Sequence, residues 1–108
     1  MKKIIMLFSV LVVAVFLFAS VATAKEKGKK GEALFKQHCS LCHPDGGNNV
    51  NPQKTLQKKD REANGVKAAA DIVGKMRNPG TGMTKFDEQT LPAKDAKAIA
   101  EYILKTFK

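Results

Sequence analysis

At 108 residues the chain holds one domain at most, with a core too small to be comfortable without a cross-link or a buried group. Nineteen Lys and Arg face ten Asp and Glu, a formal charge of +9 that suits an anionic membrane, nucleic acid or an acidic protein. With no Trp, one Tyr and no recognisable nucleic-acid motif, nucleic acid is the poorest of the three.

The chain opens with the basic start Met1-Lys2-Lys3, and Ile4 to Ala19 is apolar except for Ser9. Ala22-Thr23-Ala24 then supplies the small residues of an export cleavage site, before a charged stretch from Lys25. The reading is a signal peptide over residues 1–24, cleaved after Ala24, and a periplasmic domain over 25–108. An uncleaved anchor competes, because Ile4 to Val21 approaches the length of a membrane span. The Ala22/Ala24 spacing favours cleavage and no stable membrane insertion afterwards. No cysteine near Ala24 could carry a lipid. Losing Lys2 and Lys3 leaves 84 residues with 17 basic and 10 acidic side chains, a charge of +7.

Lys25 to Lys30 reads as a mobile tail and Gly31 to Cys42 as a helix, with Gly31, Leu34, Phe35, His38 and Cys42 at the spacing of one face. Its end holds Cys39-Ser40-Leu41-Cys42-His43, the C-x-x-C-H pattern of c-type haem attachment. Thiols at i and i+3 share one face of a helical turn, so Cys39 and Cys42 can add across the two vinyl groups of one porphyrin. His43 then projects its imidazole at the iron as proximal ligand. Three other readings compete. A thioredoxin-type dithiol needs a βαβ context that is missing here. A zinc site of His38, Cys39, Cys42 and His43 would ask adjacent residues on one helix to surround a tetrahedral metal. A structural disulfide leaves His43 unexplained. Haem suits the small chain, since a cross-linked porphyrin adds apolar surface to the core; the haem-free chain is expected to fold poorly. It also suits export to an oxidising compartment.

Pro44 to Lys54 is a loop dense in turn formers. One of its carbonyls is a candidate acceptor for the His43 Nδ1–H, which would fix the ring. Thr55 to Ala63 is a short helix stopped by Asn64-Gly65. Val66 to Met76 is a second, with a narrow apolar stripe. Asn78 to Gly82 is an irregular loop leading to Met83. Pro92 to Phe107 is the clearest helix, with Ala96, Ile99, Ala100, Ile103 and Phe107 on one face. No stretch alternates as a strand, so the fold class is all-α, about four helices around one haem.

The other face of the iron needs a ligand or stays open. Met76 sits on an apolar helix face, where Met more often fills core. Met83 sits in a Gly/Pro-rich loop able to present a thioether, and is favoured; packing of both is the alternative. Met/His ligation would raise the reduction potential. His38 reads as a half-exposed helix residue rather than a second ligand.

Three runs carry a resemblance: Gly31-Glu32-x-Leu34-Phe35-x-x-x-Cys39; Gly46-Gly47-Asn48-Asn49-Val50-x-Pro52-x-Lys54-Thr55-Leu56 followed by Glu62-Ala63-Asn64-Gly65; and Ala100-x-Tyr102-Ile103-Leu104. From Gly31 to about Phe107 the chain resembles the class I monohaem cytochromes c, nearest to the c6 type and its bacterial relatives. The resemblance implies haem on Cys39 and Cys42, axial His43 and Met83, and Asn48 and Lys54 at the haem periphery, Lys54 beside a propionate. It implies crossed first and last helices, with Gly31 at the crossing and Phe35 near Ile99 and Tyr102. Where the family usually reads Met-Pro-Ala-Phe, this chain has Met83-Thr84-Lys85-Phe86. The added charge changes the surface that the family's photosynthetic partner would meet.

The expected function is single-electron transfer rather than catalysis, with redox partner proteins acidic at the docking face. Lys58, Lys59, Lys75, Arg77 and Lys85 are the steering candidates. A gas sensor or peroxidase-like protein with a labile sixth ligand is the alternative.

Overall fold

The structure is a computed structural model and describes residues 25–108. The export and cleavage readings fall on residues 1–24 and lie outside the described residues. Four α-helices and one short 3-10 turn make up the described fold, with no strand among the described residues. They are α1 (25–38), the turn Pro44–Gly46, α2 (Lys58–Ala63), α3 (Ala69–Arg77) and α4 (Ala93–Thr106). The all-α expectation is borne out.

The apolar stripe of α4 is the centre of the core. Ala96, Ile99, Ala100 and Ile103 are buried, and Phe35, Ile72, Met76, Leu91 and Phe107 close around them. The small residues at 96 and 100 alternate with Ile99 and Ile103, so neighbouring helices approach closely while large side chains fill the gaps. α3 packs on α4, burying Ile72 and Met76. α1 crosses α4 at Gly31: a Cβ there would collide with the Ala98 carbonyl oxygen and stand 3.0 Å from Tyr102 Cβ. Phe35 lies beyond the crossing, its ring 5.4 Å from Tyr102 and 5.5 Å from Phe107 between centroids.

Two boundaries differ from expectation. Residues 25–30 are helical rather than a tail. Lys and Glu are good helix formers, and Lys30 Nζ reaches Asp95 Oδ1 on α4 at 2.8 Å, which ties this end down. The helix also stops at residue 38 rather than at Cys42. The Cys39 and Ser40 N–H groups both donate to Phe35 O, at 2.8 and 3.1 Å, and the chain tightens into a turn. Pro44 lies just beyond and disfavours a helical His43. α2 begins at Lys58, later than read, and α3 is shifted a few residues toward the C-terminus.

Candidate functional site

The turn after α1 keeps the geometry that the cysteine spacing requires. His43 N–H donates to Cys39 O at 2.9 Å and Cys42 N–H to the same oxygen at 3.2 Å, so Cys39, Cys42 and His43 stay on one tightened turn. All three line a cleft of about 470 Å³. Leu56, Val66, Ile72, Met76, Leu91 and Ile103 give it an apolar wall drawn from α3, α4 and the segments beside them. Among the described residues no three His, Cys, Asp or Glu side chains gather as a metal cluster. The zinc reading of His38, Cys39, Cys42 and His43 is therefore unsupported.

The His43 ring is oriented by the loop that follows it. Its Nδ1 lies 2.8 Å from Gly47 O. A carbonyl can only accept, so Nδ1 carries the proton and Nε2 is left with its lone pair. The carbonyl comes into place because the chain reverses over Pro44–Gly46. Asp45 and Gly46 both take positive φ, 52° and 79°, and Gly47 N–H closes the turn on Pro44 O at 2.9 Å.

Asn48 and Lys54 also line the cleft. The side chain of Asn48 folds its own loop: Nδ2 donates to Lys54 O at 2.8 Å, and Oδ1 accepts from the N–H groups of Val50 and Asn51, both at 2.9 Å. Met83 and Met76 both reach the cleft, but their settings differ. Met76 is 3% exposed within the core and Met83 is 36% exposed in the loop after α3. That loop leans on the one after His43. Gly82 has φ +91°, and a Cβ on it would stand 2.7 Å from Val50 Cγ1.

The two thiols are not equivalent. Burial, with a smaller contribution from neighbouring Cys42, pushes the Cys39 thiol up to about 11, whereas Cys42 is exposed. Leu41 between them is 88% exposed, an apolar side chain held out into solvent beside the cleft mouth.

Two residues that carry no site role in the sequence reading, His38 and Arg61, belong to the site. His38 lines the cleft and meets the Phe86 ring edge-on at 6.0 Å. Arg61 lines it too and is 5% exposed, with Nε on Leu56 O at 2.7 Å and Nη2 on Phe107 O at 3.1 Å. Arg77 lies outside it, half-buried, with Nη1 on Phe86 O at 3.0 Å. It is tied to backbone rather than free as a steering charge. Two thiols and an Nε2 with its lone pair free, beside an apolar cleft, are a donor set that fits haem c.

Residues 26–103 match the family described as cytochrome c oxidase, cbb3-type, subunit III. Cytochrome c6 of Synechocystis sp. is 38% identical over 74 residues, 68% of this chain and 61% of that protein, so the chain spans under two thirds of that relative's length. Cytochrome c6 of Cyanidium caldarium is 31% identical over 103 residues, 95% of this chain and 92% of that one. Among solved structures, OmcF, outer membrane cytochrome F of Geobacter sulfurreducens, superposes with a TM-score of 0.71 at 47% identity. It covers 72% of this chain and 99% of OmcF.

The chain belongs to the class I monohaem c-type cytochromes, close to cytochrome c6. The cytochrome carries covalently attached haem c and transfers electrons rather than catalysing a reaction on a substrate. It therefore exchanges electrons with redox partners. Among the described residues no helix is long and apolar enough to cross a membrane.

Proposed function

We propose that this cytochrome shuttles single electrons in the periplasm, through a haem held by thioethers to Cys39 and Cys42 and ligated by His43 and Met83. The observation that carries the reading is the Nδ1 bond of His43 to Gly47 O at 2.8 Å, in a cleft that Cys39, Cys42 and Met83 also line. That bond fixes the ring and leaves Nε2 as its donor atom. When bound, haem c supplies a one-electron couple. His43 and Met83 would hold it and the apolar wall would exclude water, while Leu41, Val50 and Met83 leave exposed apolar surface beside the cleft. Lys54 and Asn48 line the same cleft, consistent with a place at the haem periphery.

Lys58, Lys59, Lys75 and Lys85 are exposed and give the surface its positive charge, which suits an acidic docking face on the partner. Reduction by an acidic partner should slow as salt rises through the range where the Debye length falls from about 30 to 3 Å. A stopped-flow rate that does not change with salt would remove the acidic-partner reading.

Export rests on the apolar run before Ala24 and on the normal attachment of covalent haem outside the cytoplasm. OmcF is described as an outer membrane cytochrome. The only cysteines of this chain are Cys39 and Cys42, which leaves none near residue 24 to take a lipid. Fractionation should find the mature protein released with soluble periplasmic contents, its N-terminus at Lys25.

The deciding experiment is the absorption spectrum of the reduced haem protein before and after carbon monoxide. A spectrum unmoved by the gas is expected, and Met83→Ala should become reactive at once. A prompt shift of the main haem band in the unaltered protein would point to a labile sixth site and to gas-binding or peroxide chemistry.

A further inference from the structure

The loop presenting Met83 is tied shut at its base. α3 ends at Arg77, and the chain returns to the same point at Phe86. Phe86 N–H donates to Met76 O at 2.9 Å, and Phe86 O accepts from Arg77 Nη1 at 3.0 Å. The Phe86 ring adds a third anchor, edge-on to His38 and packed against the core. Between the anchors the loop has one close approach, Gly82 against Val50, and few hydrogen bonds. Met83 N–H reaches back to Gly80 O at 3.4 Å, a long bond, and Gly80, Thr81, Gly82, Met83, Thr84 and Lys85 are all exposed. The hydrogen bonds that close the loop therefore lie chiefly at its ends.

Arg77 holds this position at a cost. Its Nη2 is buried without a hydrogen-bond partner, an arrangement that a solvated surface cation would avoid. Its planar fork lets one guanidinium nitrogen bond Phe86 O while the charge also faces Asp87, whose carboxyl lies below its ordinary range chiefly through Thr90 N–H and to a smaller degree through Arg77. A lysine ammonium carries the charge without the fork.

We infer that Arg77 is a positioning residue that keeps the Met83 loop closed and so keeps the sixth coordination site occupied. The inference rests on the reading of Met83 as axial ligand, and its test separates the two.

The haem-loaded protein, made in a haem-attaching host, is compared with Arg77→Gln, Arg77→Lys, Met83→Ala and the core control Ile99→Val. Carbon monoxide binding to the ferrous form and the sulfur-to-iron charge-transfer band of the ferric form are measured at equal intervals below each melting temperature. Arg77→Gln is expected to keep the spectrum of an attached haem, weaken the charge-transfer band and bind the gas at least tenfold faster than the unaltered protein. Arg77→Lys should fall between, and Ile99→Val should stay inert. If Met83→Ala binds the gas while Arg77→Gln stays inert, or gains no more than Ile99→Val, the inference fails and the Met83 reading stands. If Met83→Ala behaves as the unaltered protein does, the Met83 reading fails and the role of Arg77 falls with it. Should Arg77→Gln not accumulate, Arg77→Lys decides on the same comparison.

Discussion

Single residues at the junctions between loops and core hold this fold most tightly. Gly46 carries two constraints: its φ is +79°, and a Cβ would stand 2.5 Å from the Phe107 ring. Gly46→Ala should lower unfolding free energy by about 2–4 kcal/mol, the sum of left-handed strain and overpacking, as read from denaturant titration of the haem protein. Arg61 is the buried cation among the described residues, and its guanidinium donates to the Leu56 and Phe107 carbonyls. Arg61→Met would strand both oxygens and cost about 2–4 kcal/mol. Arg61→Lys, which keeps the charge but not the fork, should recover only part of that. Nothing in the run Lys58-Lys59-Asp60-Arg61 distinguishes the one buried cation from its exposed neighbours. Its partners are backbone carbonyls, which have no identity in a sequence, and the same holds for Arg77. The haem motif, by contrast, is chemistry written in side chains at fixed spacing, which is why Cys39, Cys42 and His43 could be singled out before any fold was known.

Among the elements, α4 was legible because its burial has a period: Ala96, Ile99, Ala100 and Ile103 recur every three or four residues and are all buried. α1 departs from its sequence pattern for two reasons: the Lys30–Asp95 ion pair to α4 is a tertiary contact that no local pattern shows, and the Cys39 and Ser40 N–H groups share Phe35 O where the helix gives way to a turn. α3 begins where Asp71 Oδ2 accepts the N–H groups of Lys67 and Ala68, at 3.0 and 2.8 Å. Asp87 Oδ1 accepts Thr90 N–H at 2.7 Å in the turn before α4. These bonds hold both carboxyls below their ordinary range. A carboxyl depressed in the folded state contributes stability above its unfolded pKa of about 3.9 and loses it as pH falls through the lower folded value. The melting temperature should thus stay level from neutral pH down to about 5 and decline below about 4. Asp71→Asn with Asp87→Asn should lower the neutral-pH plateau slightly and flatten that acid limb, as seen by thermal melts across pH.

The described residues form a thin shell of helix around a cleft, and the cleft opens among core residues: Ile72, Met76, Leu91 and Ile103 face it and belong to the core as well. Removing the group that fills it should therefore act as a cavity mutation spread over several side chains. A double Cys39→Ala, Cys42→Ala chain made without haem is expected to lose most of its helical circular dichroism at room temperature. A cooperative melt near that of the haem protein would contradict this. The closure of the shell also has a direction in time. The loop that orients His43 is braced by the ring of Phe107 and, through Arg61, by the Phe107 carbonyl, contacts that span up to the full length from Gly46 to the last residues. A haem-free chain that does not hold this fold keeps Cys39 in water, so the contacts from Gly46 and Arg61 to Phe107 close over a porphyrin already attached. The last residues of the chain thus act as a clasp, fastened after the covalent step.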